Sequence, residues 1–390
     1  MITNVSIKNY KSVVDVSLPL GRFNLLIGAN GCGKSNILEG IAMGAAASAD
    51  KLDYEYFANR GIRVVEPRFM LPAFEDFEAE VISIALSNED NNVATFDIRY
   101  NKDLKPAQWQ DDSVSADRFV AYVVDNPPKQ NPLINEMVDF LKKMKSDNPN
   151  PFANIRLKPT NDKVSIMTVD QDLSRFIIYS PEESILRESN NSNRLYPMGR
   201  HGEGLFKYLK ELSQQPEGTR VFNEIKENLK VLDWFDEMEV PTGQLSMEFD
   251  LKLKDSFLPE LYSFDQRSTN EGFLYLLFYL TLVISDETPK FFAIENIDTA
   301  FNPKLCREVM KMLNVSAKKH DKQIIATTHN PAILDGLDLS DDEQKLMVVQ
   351  RSVDGYTKVR TLNNKDIVKS DLPLSQLWLR GFIGGLPNNF

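Results

Sequence analysis

The chain has 390 residues, of which 42% are hydrophobic and 26% charged, and its formal net charge is −11. This length allows one large domain or two, with a sizeable core. The acidic balance excludes a surface that attracts nucleic acid as a whole, so any contact with nucleic acid would need a local basic patch.

The first predicted elements are two short strands. Residues 2–9 alternate loosely between apolar and polar side chains, residues 10–12 predict a turn, and residues 13–18 alternate again. Such alternation favours half-buried strands. Because both strands directly precede the next apolar strand, we expect them to form a small β layer beside the loop that follows it.

A glycine-rich loop comes next in the chain. Residues 23–27 form a short apolar run, residues 28–35 have the spacing G-x-x-x-x-G-K-S, and residues 36–47 are rich in helix-forming apolar side chains. Strand, glycine loop and helix in this order predict a P-loop, in which backbone N–H groups and the helix dipole bind phosphate. The alternative interpretation is a glycine turn that only joins a strand to a helix.

The P-loop interpretation assigns specific roles to its side chains. Lys34 would reach the β- and γ-phosphates of a nucleotide, and the Ser35 hydroxyl would bind Mg²⁺. A disulfide at Cys32 would obstruct the nucleotide, so we expect Cys32 and Cys306 to be reduced in a cytoplasmic protein. The nucleotide-binding residues predicted in this stretch are Asn30, Gly31, Cys32, Gly33, Lys34, Ser35 and Asn36.

The middle of the chain is less regular. Residues 77–86 and 93–100 predict an antiparallel hairpin. Residues 101–170 contain clusters of Pro and Asn and are interpreted as an insertion, with one helix at residues 133–145. The lysines near the end of that helix favour a solvated helix end that complements the dipole, with a nucleic-acid patch as the alternative: Lys142, Lys143 and Lys145.

The organisation predicted for the whole chain has three parts. Residues 1–100 form the N-terminal part with the P-loop and the β layer, residues 101–170 form the insertion, and residues 171–390 form the remainder. The elements predicted in this last part are strands at 175–179, 247–253, 290–295, 323–328, 345–350 and 357–361, and helices at 205–213, 219–232, 273–284 and 374–380.

A second chemical motif lies in the C-terminal part. Residues 290–295 form an apolar run that ends in Glu295, which is the form of a Walker B strand whose terminal acid holds Mg²⁺ through water. Residues 295–303 then match, position by position, the ABC ATPase pattern D-E-P-T-S-A-L-D-P. This match puts Asn296 at the usual place of the catalytic glutamate and Asp298 beside a D-loop-like segment.

Two further segments resemble parts of an ABC site. His329 ends a strand as the H-loop histidine does, and would contact the γ-phosphate; the alternative is an ordinary structural histidine. Residues 268–272 precede an apolar helix and resemble a degenerate signature, in which Asn270 and Gly272 would bind the γ-phosphate held by the opposite subunit. The alternative there is a simple helix cap. The apolar helix at 273–284 is too short to span a bilayer.

The order P-loop, signature, Walker B, D-loop and H-loop resembles a stand-alone ABC ATPase of the RecF/SMC/OLD type, in the AAA-15 and AAA-21 groups. The resemblance covers residues 1–60 and about 173–385. It implies an α/β P-loop NTPase fold, with a two-lobed ABC head, an antiparallel β layer and an inserted α-helical or irregular segment. It also implies ATP and Mg²⁺ as cofactors, with Ser35 and Glu295 as metal ligands, and a head-to-tail pair of subunits that closes on ATP.

The chain departs from this family pattern in three ways. The Walker B acid is Glu295 rather than Asp, Asn296 cannot take a proton from water, and no Q-loop glutamine is evident. We therefore expect slow hydrolysis unless Glu295 or Asp298 replaces the missing base. The predicted catalytic residues are Glu295, Asn296, Asp298 and His329.

The resemblance implies a regulatory role. Relatives act in DNA repair or in anti-phage defence, so we expect a sensor subunit that binds itself and a separate effector such as a nuclease, with DNA or a phage component as a further candidate partner and no membrane. One alternative is an ATP-gated scaffold with little hydrolysis, which Asn296 favours. Another is a transporter ATPase subunit, which the early β layer, the insertion and the weak signature disfavour.

Overall fold

The computed structural model describes residues 1–75, 77–90, 92–104, 107–115, 155–159, 164–168, 172–188, 197–241, 251–259, 262–362 and 372–386. The predicted helix at residues 133–145, with its three lysines, lies outside these ranges. Most of the predicted strand at residues 247–253 also lies outside them.

The elements are numbered in chain order. The strands are β1 (Ile2–Tyr10), β2 (Val13–Pro19), β3 (Phe23–Ile27), β4 (Val81–Asn88), β5 (Val93–Asn101), β6 (Gln108–Asp111), β7 (Val114–Ser115), β8 (Ile155–Pro159), β9 (Val164–Thr168), β10 (Ile178–Tyr179), β11 (Phe235–Glu239), β12 (Lys252–Asp255), β13 (Phe291–Ile294), β14 (Gln323–Thr327), β15 (Gln344–Arg351) and β16 (Thr357–Leu362). The helices are α1 (Lys34–Ser48), α2 (Tyr54–Arg60), α3 (Glu183–Leu186), α4 (Leu205–Gln214), α5 (Pro216–Leu229), α6 (Glu271–Ile284), α7 (Pro303–Lys319) and α8 (Leu374–Leu379).

A six-stranded sheet has the order β10-β13-β14-β3-β15-β16, and its neighbouring strands are parallel except for β15 and β16. Strands β3, β13 and β14 are buried at every position, which explains their continuous apolar sequences. Leu25 and Ile27 of β3 face one hydrophobic cluster, and Leu26 faces the other. The parallel strands therefore end together at one edge, where ligands bind in open α/β sheets.

Helix α1 and an antiparallel sheet cover one face of this central sheet. The antiparallel sheet has the order β2-β1-β4-β5-β6, and α1 contacts β1 and β4. Ile7 and Ile84 of this sheet share a hydrophobic cluster with Ile37 and Ile41 of α1. The predicted β layer and the predicted hairpin are thus confirmed.

Helix α6 lies within the other cluster. It is buried continuously from Phe273 to Ile284 and packs against α5 and α7. A helix that is apolar all round belongs in a core, and this accounts for its sequence. None of the helices in the described ranges combines the length and the apolar character needed to cross a membrane.

The structure contains helices α2, α3 and α7 and strand β11, which the sequence patterns above do not predict, and it differs from the prediction in two further places. The strand predicted at residues 175–179 is reduced to β10, because Leu173–Arg175 forms a 3₁₀ turn. The described part of residues 101–170 is β structure: β6 extends the antiparallel sheet, and β7, β8 and β9 form a separate three-stranded sheet. These strands are too short for an alternation of apolar and polar residues to be evident in the sequence. The rings of Tyr100 in β5 and Trp109 in β6 pack against each other, with centroids 5.3 Å apart.

Candidate functional site

The glycine loop joins the carboxyl end of β3 to the N-terminus of α1. Gly33 precedes the helix with a φ of 111°, which is left-handed backbone that side chains rarely adopt. A Cβ at this position would also lie 2.0 Å from Oγ1 of Thr357. Glycine is therefore required at position 33 for two independent reasons.

The N-terminus of α1 has the character of an anion site. The first N–H groups of a helix have no intrahelical acceptor, and no side chain caps them at Gly33. The first turn of α1 carries no acidic residue that would compete with an anion. These free donors and the helix dipole fit a phosphate group.

Lys34 lies over the loop that precedes it. Its Nζ donates hydrogen bonds to the carbonyl oxygens of Gly28 and Ala29, at 2.8 and 3.2 Å. Burial lowers the pKa of Lys34, while Cys32 and Glu295 act in the opposite direction. The amine is thus placed inside the loop, where it would meet bound phosphate.

The contact between Ser35 and Glu295 joins the two predicted halves of the site. Ser35 is the second residue of α1, Glu295 follows β13, and the Ser35 hydroxyl donates a hydrogen bond to Oε1 of Glu295. A hydroxyl and a carboxylate side by side are oxygen ligands of the kind that Mg²⁺ prefers. The residues present therefore fit Mg²⁺ at this point.

Asn296 has an unusual backbone conformation. Its φ is 52°, in the left-handed region where asparagine is the best tolerated residue after glycine. The Asn296 N–H donates to Oγ1 of Thr327 at 3.0 Å, and its carbonyl oxygen accepts from the N–H and the hydroxyl of Thr299. The left-handed backbone at position 296 thus favours asparagine over most other residues, including glutamate.

Asp298 and His329 lie near the same strand ends. Oδ1 of Asp298 accepts a hydrogen bond of 2.7 Å from the hydroxyl of Thr328. Burial lowers the pKa of His329, as does the positive charge of Lys34, whereas Asp298 and Glu295 oppose this change. The structure therefore brings His329 into one electrostatic neighbourhood with Lys34, Glu295 and Asp298, and favours the neutral imidazole.

The signature-like segment forms the start of α6 and contacts the D-loop-like segment. Oδ1 of Asn270 caps α6 by accepting from the N–H of Phe273 at 2.9 Å. A Cβ at Gly272 would lie 3.2 Å from the carbonyl oxygen of Ala300, so the glycine also serves a close contact within the chain. Neither Asn270 nor Gly272 lines the pocket beside Ser35.

A chain of hydrogen bonds supports the P-loop from behind and was not predicted from the sequence. The amide of Asn36 donates to Ser12, the hydroxyls of Ser12 and Thr357 lie 2.7 Å apart, and Thr357 donates to the Cys32 carbonyl oxygen. Arg351 donates to the carbonyl oxygen of Gly31 at 3.0 Å. The side chain of Asn36 is thus engaged within the protein, whereas Asn30 is exposed.

A pocket opens beside the Ser35–Glu295 pair. Inside it, Glu39 is buried and forms ion pairs with Lys11 and Arg63, and it accepts a hydrogen bond from Tyr10. The pocket thus has both acidic and basic side chains in its wall. The lining residues are Ser35, Leu38, Glu39, Gly61, Arg63, Ile178, Arg200 and Glu295.

A P-loop at the carboxyl edge of a parallel sheet, beside a second strand that is followed by an acid, defines a P-loop NTPase. The model of the AAA ATPase domain family matches residues 1–232, so the chain belongs to this family. A second model, described as "AAA domain, putative AbiEii toxin, Type IV TA system", matches residues 204–335. No curated protein matches the chain in sequence.

Solved structures with the same fold include heads of Smc proteins. A crystal structure of the SmcHead bound to the C-winged helix domain of ScpA is 17% identical, with 94% of this chain and 99% of that chain covered and a TM-score of 0.54. A Smc head domain with an extended coiled coil, bound to the C-terminal domain of ScpA and derived from Pyrococcus furiosus, is 14% identical, with 94% and 98% covered and a TM-score of 0.52. These similarities confirm the predicted α/β fold of an ABC ATPase head.

Proposed function

We propose that the protein binds and hydrolyses ATP with Mg²⁺, at sites that two copies complete between them. The observation that carries this proposal is the contact between Ser35 and Glu295 at the N-terminus of α1. It sets the two predicted metal ligands next to helix N–H groups that suit phosphate.

The side chains around the P-loop would have distinct roles in binding the nucleotide. Lys34, whose Nζ donates hydrogen bonds to the carbonyl oxygens of Gly28 and Ala29 in this structure, would bind the β- and γ-phosphates. Ser35 and Glu295 would hold Mg²⁺, which when bound neutralises phosphate charge in the transition state. His329 would donate a hydrogen bond to the γ-phosphate.

The proton of the attacking water needs an acceptor. Asn296 is exposed and has no carboxylate, so Glu295 is the first candidate and Asp298 the second. Asp298 already accepts a hydrogen bond from Thr328, which holds its carboxylate in place. A general base contributes typically ~10²- to 10⁴-fold to a rate, so a poorly placed substitute would make hydrolysis slow.

A second copy would supply the missing part of each site. Asn270 and Gly272 lie at the N-terminus of α6, outside the pocket beside Ser35. A head-to-tail pair would bring this helix start to the γ-phosphate held by the other copy. ATP binding would close the pair, and hydrolysis would reopen it.

The proposed biological role is that of a sensor or regulatory subunit in a DNA-repair or anti-phage defence complex in the cytoplasm. The second family is described as a "putative AbiEii toxin" of a type IV TA system, and the SmcHead named above is bound to a domain of a separate protein, ScpA. The bound ScpA domain supports a separate protein partner here, which we propose to be an effector such as a nuclease. The net charge of −11 argues against broad contact with DNA.

A second candidate function is an ATP-gated scaffold that holds an effector without useful hydrolysis. Asn296 is the observation that favours it, because its amide can orient water but cannot act as a base. Phosphate release under single-turnover conditions separates the two candidates. Hydrolysis that follows ATP-dependent association supports the ATPase, whereas association without hydrolysis supports the scaffold.

The test of the main proposal combines binding and association. Mg·ATP binding is measured by calorimetry, and self-association by sedimentation with and without a slowly hydrolysed ATP analogue. Association that depends on the analogue is expected. A protein that binds no nucleotide, or that associates equally without it, would contradict the proposal. Co-purification with the product of the neighbouring gene then tests the effector.

A further inference from the structure

Arg200 differs from the other half-buried arginines in the described residues. The guanidinium groups of Arg22, Arg60 and Arg187 each donate at least one hydrogen bond to a carbonyl or a carboxylate. Among the residues that the structure describes, Arg200 alone of these four makes no side-chain hydrogen bond or ion pair, and its Nε, like those of Arg22 and Arg60, is buried without a hydrogen-bond partner. A buried guanidinium N–H without an acceptor is costly, so this group calls for a ligand.

Backbone hydrogen bonds fix the place of Arg200. The N–H of Glu295 donates to the Tyr179 carbonyl oxygen at 2.8 Å. Ser180 follows Tyr179 in the chain, and its N–H donates to the Arg200 carbonyl oxygen at 2.9 Å. The N–H of Glu182 donates to the carbonyl oxygen of His201 at 3.0 Å. Arg200 is thus joined through β10 to the strand end that carries Glu295.

The side chain of Arg200 lines the same pocket as Ser35 and Glu295. Burial lowers the pKa of Arg200, and the negative charges of Glu295, Glu203 and other nearby acids oppose this change. The guanidinium lies within the influence of these acids without bonding to any of them. Its position is therefore open to a ligand at the Mg²⁺ end of the P-loop.

We propose that Arg200 binds the terminal phosphate of a nucleoside triphosphate held by the P-loop of the same chain. Arginine offers five N–H donors in a planar fork that matches the oxygens of phosphate. Ser35 and Glu295 mark the β,γ end of the predicted nucleotide, and Arg200 shares their pocket. Arg200 would thereby distinguish ATP from ADP in a chain whose sequence has no evident Q-loop glutamine. This inference rests on the nucleotide site proposed above.

The test compares triphosphate with diphosphate binding. Calorimetry with Mg·ADP and with a slowly hydrolysed ATP analogue is applied to wild type, Arg200→Met and Arg200→Lys. Arg200→Met should weaken analogue binding ~10- to 100-fold, the range for hydrogen bonds to charged groups, and ADP binding by less than ~3-fold. The affinity of Arg200→Lys for the analogue should lie between those of wild type and Arg200→Met, because lysine keeps a point charge but lacks the planar fork.

Controls separate this inference from the proposed nucleotide site. Arg220→Ala removes an exposed arginine of α5 and should bind both nucleotides as wild type does. Thermal melting without nucleotide checks the fold. If Arg200→Met does not fold, the inference is tested by the ratio of the analogue and Mg·ADP affinities in Arg200→Lys, compared with the same ratio in wild type. Equal analogue affinity in the Arg200 variants, or an equal loss for both nucleotides, overturns the inference. Failure of wild type to bind, or no effect of Lys34→Ala, would instead reject the nucleotide site itself.

Discussion

The hydroxyl of Ser35 donates a hydrogen bond to the carboxylate of Glu295, although 260 positions separate the two residues. Ser35 follows β3, Glu295 follows β13, and β14 lies between these strands in the sheet. The parallel arrangement places both strand ends at one edge, so two distant motifs become one candidate site. The predictions below depend on this site and on its immediate supports.

Lys34→Ala should abolish nucleotide binding without unfolding the protein. Lys34 would provide a charged donor to phosphate, and loss of such a bond weakens binding by at least ~10-fold. The substitution also leaves the carbonyl oxygens of Gly28 and Ala29 without this donor, so some loss of thermal stability is expected. Calorimetry with Mg·ATP is the measurement, and Lys207→Ala in α4, an exposed position, is the control. Equal affinity in wild type and Lys34→Ala would reject the P-loop role.

Glu295→Gln should remove residual hydrolysis, preserve ATP binding and trap the closed assembly. The amide keeps the size of the side chain and can still accept the Ser35 hydrogen bond, but it cannot take a proton from water. Phosphate release is assayed under single-turnover conditions, and the assembly is followed by sedimentation with ATP. Asp298→Asn is the matched variant for the second candidate base. Rapid hydrolysis by Glu295→Gln would place the base elsewhere.

The sequence predicted those parts of the site that local patterns define. The P-loop spacing, the apolar strands and the acid at position 295 each lie within a short window, and each follows from backbone geometry and burial. The supports of the loop could not be found in this way. Ser12 and Thr357 are 345 positions apart, and their contact depends on how β16 and the turn after β1 meet behind Gly33.

The conformation of Asn296 is a second example of what the sequence left out. The pattern showed that a carboxylate is replaced by an amide, which bears on catalysis. It did not show that the backbone at this position is left-handed, with a φ of 52°. Similarly, the Gly-rich stretch around Arg200 carries no recognised motif, and its position beside Glu295 follows from backbone hydrogen bonds through β10 and from a shared pocket.

Arg187→Met should weaken ATP-dependent self-association and leave Mg·ATP affinity unchanged. Arg187 donates hydrogen bonds to the carbonyl oxygens of Gln266, Arg267 and Thr269, and it pairs with Glu183 of α3. It therefore positions the loop that leads into the signature-like segment. Loss of these bonds should lower association by ~10-fold or more, since hydrogen bonds from charged donors are strong.

Sedimentation with a slowly hydrolysed ATP analogue measures this association. Arg187→Lys should rescue it in part, because a cation is retained without the fork geometry. Arg220→Ala is the control for loss of an arginine. A folded Arg187→Met protein that associates as readily as wild type would show that the loop does not take part in the subunit contact.

His329 should take up a proton when ATP binds. Burial and Lys34 hold the pKa of His329 below its usual value of 6.5 in the free protein. Phosphate oxygens beside the imidazole would raise that pKa, so the bound state holds more protons between the two values. The contribution of His329 to affinity should therefore increase as the pH falls from neutrality towards the free-state pKa.

Calorimetry in two buffers of different ionisation enthalpy measures the protons taken up. The nucleotide itself titrates, so the quantity of interest is the difference between wild type and His329→Gln. Lys34, Glu295 and Asp298 also face this histidine, and they are present in both proteins. Identical proton uptake in the two proteins would place His329 away from the phosphate.

The last prediction concerns the missing carboxylate at position 296. Asn296→Glu should leave hydrolysis intact or raise it, but a glutamate in left-handed backbone costs roughly 1–2 kcal/mol. Asn296→Asp restores a carboxylate in a residue that tolerates this conformation. It should raise single-turnover phosphate release by ~10-fold or more, within the range that a general base supplies. Thermal melting separates backbone strain from chemistry, because strain lowers the stability of the glutamate variant alone. If Asn296→Asp melts as wild type does and still does not raise the rate, Asn296 does not limit hydrolysis and the base is already present in the native site.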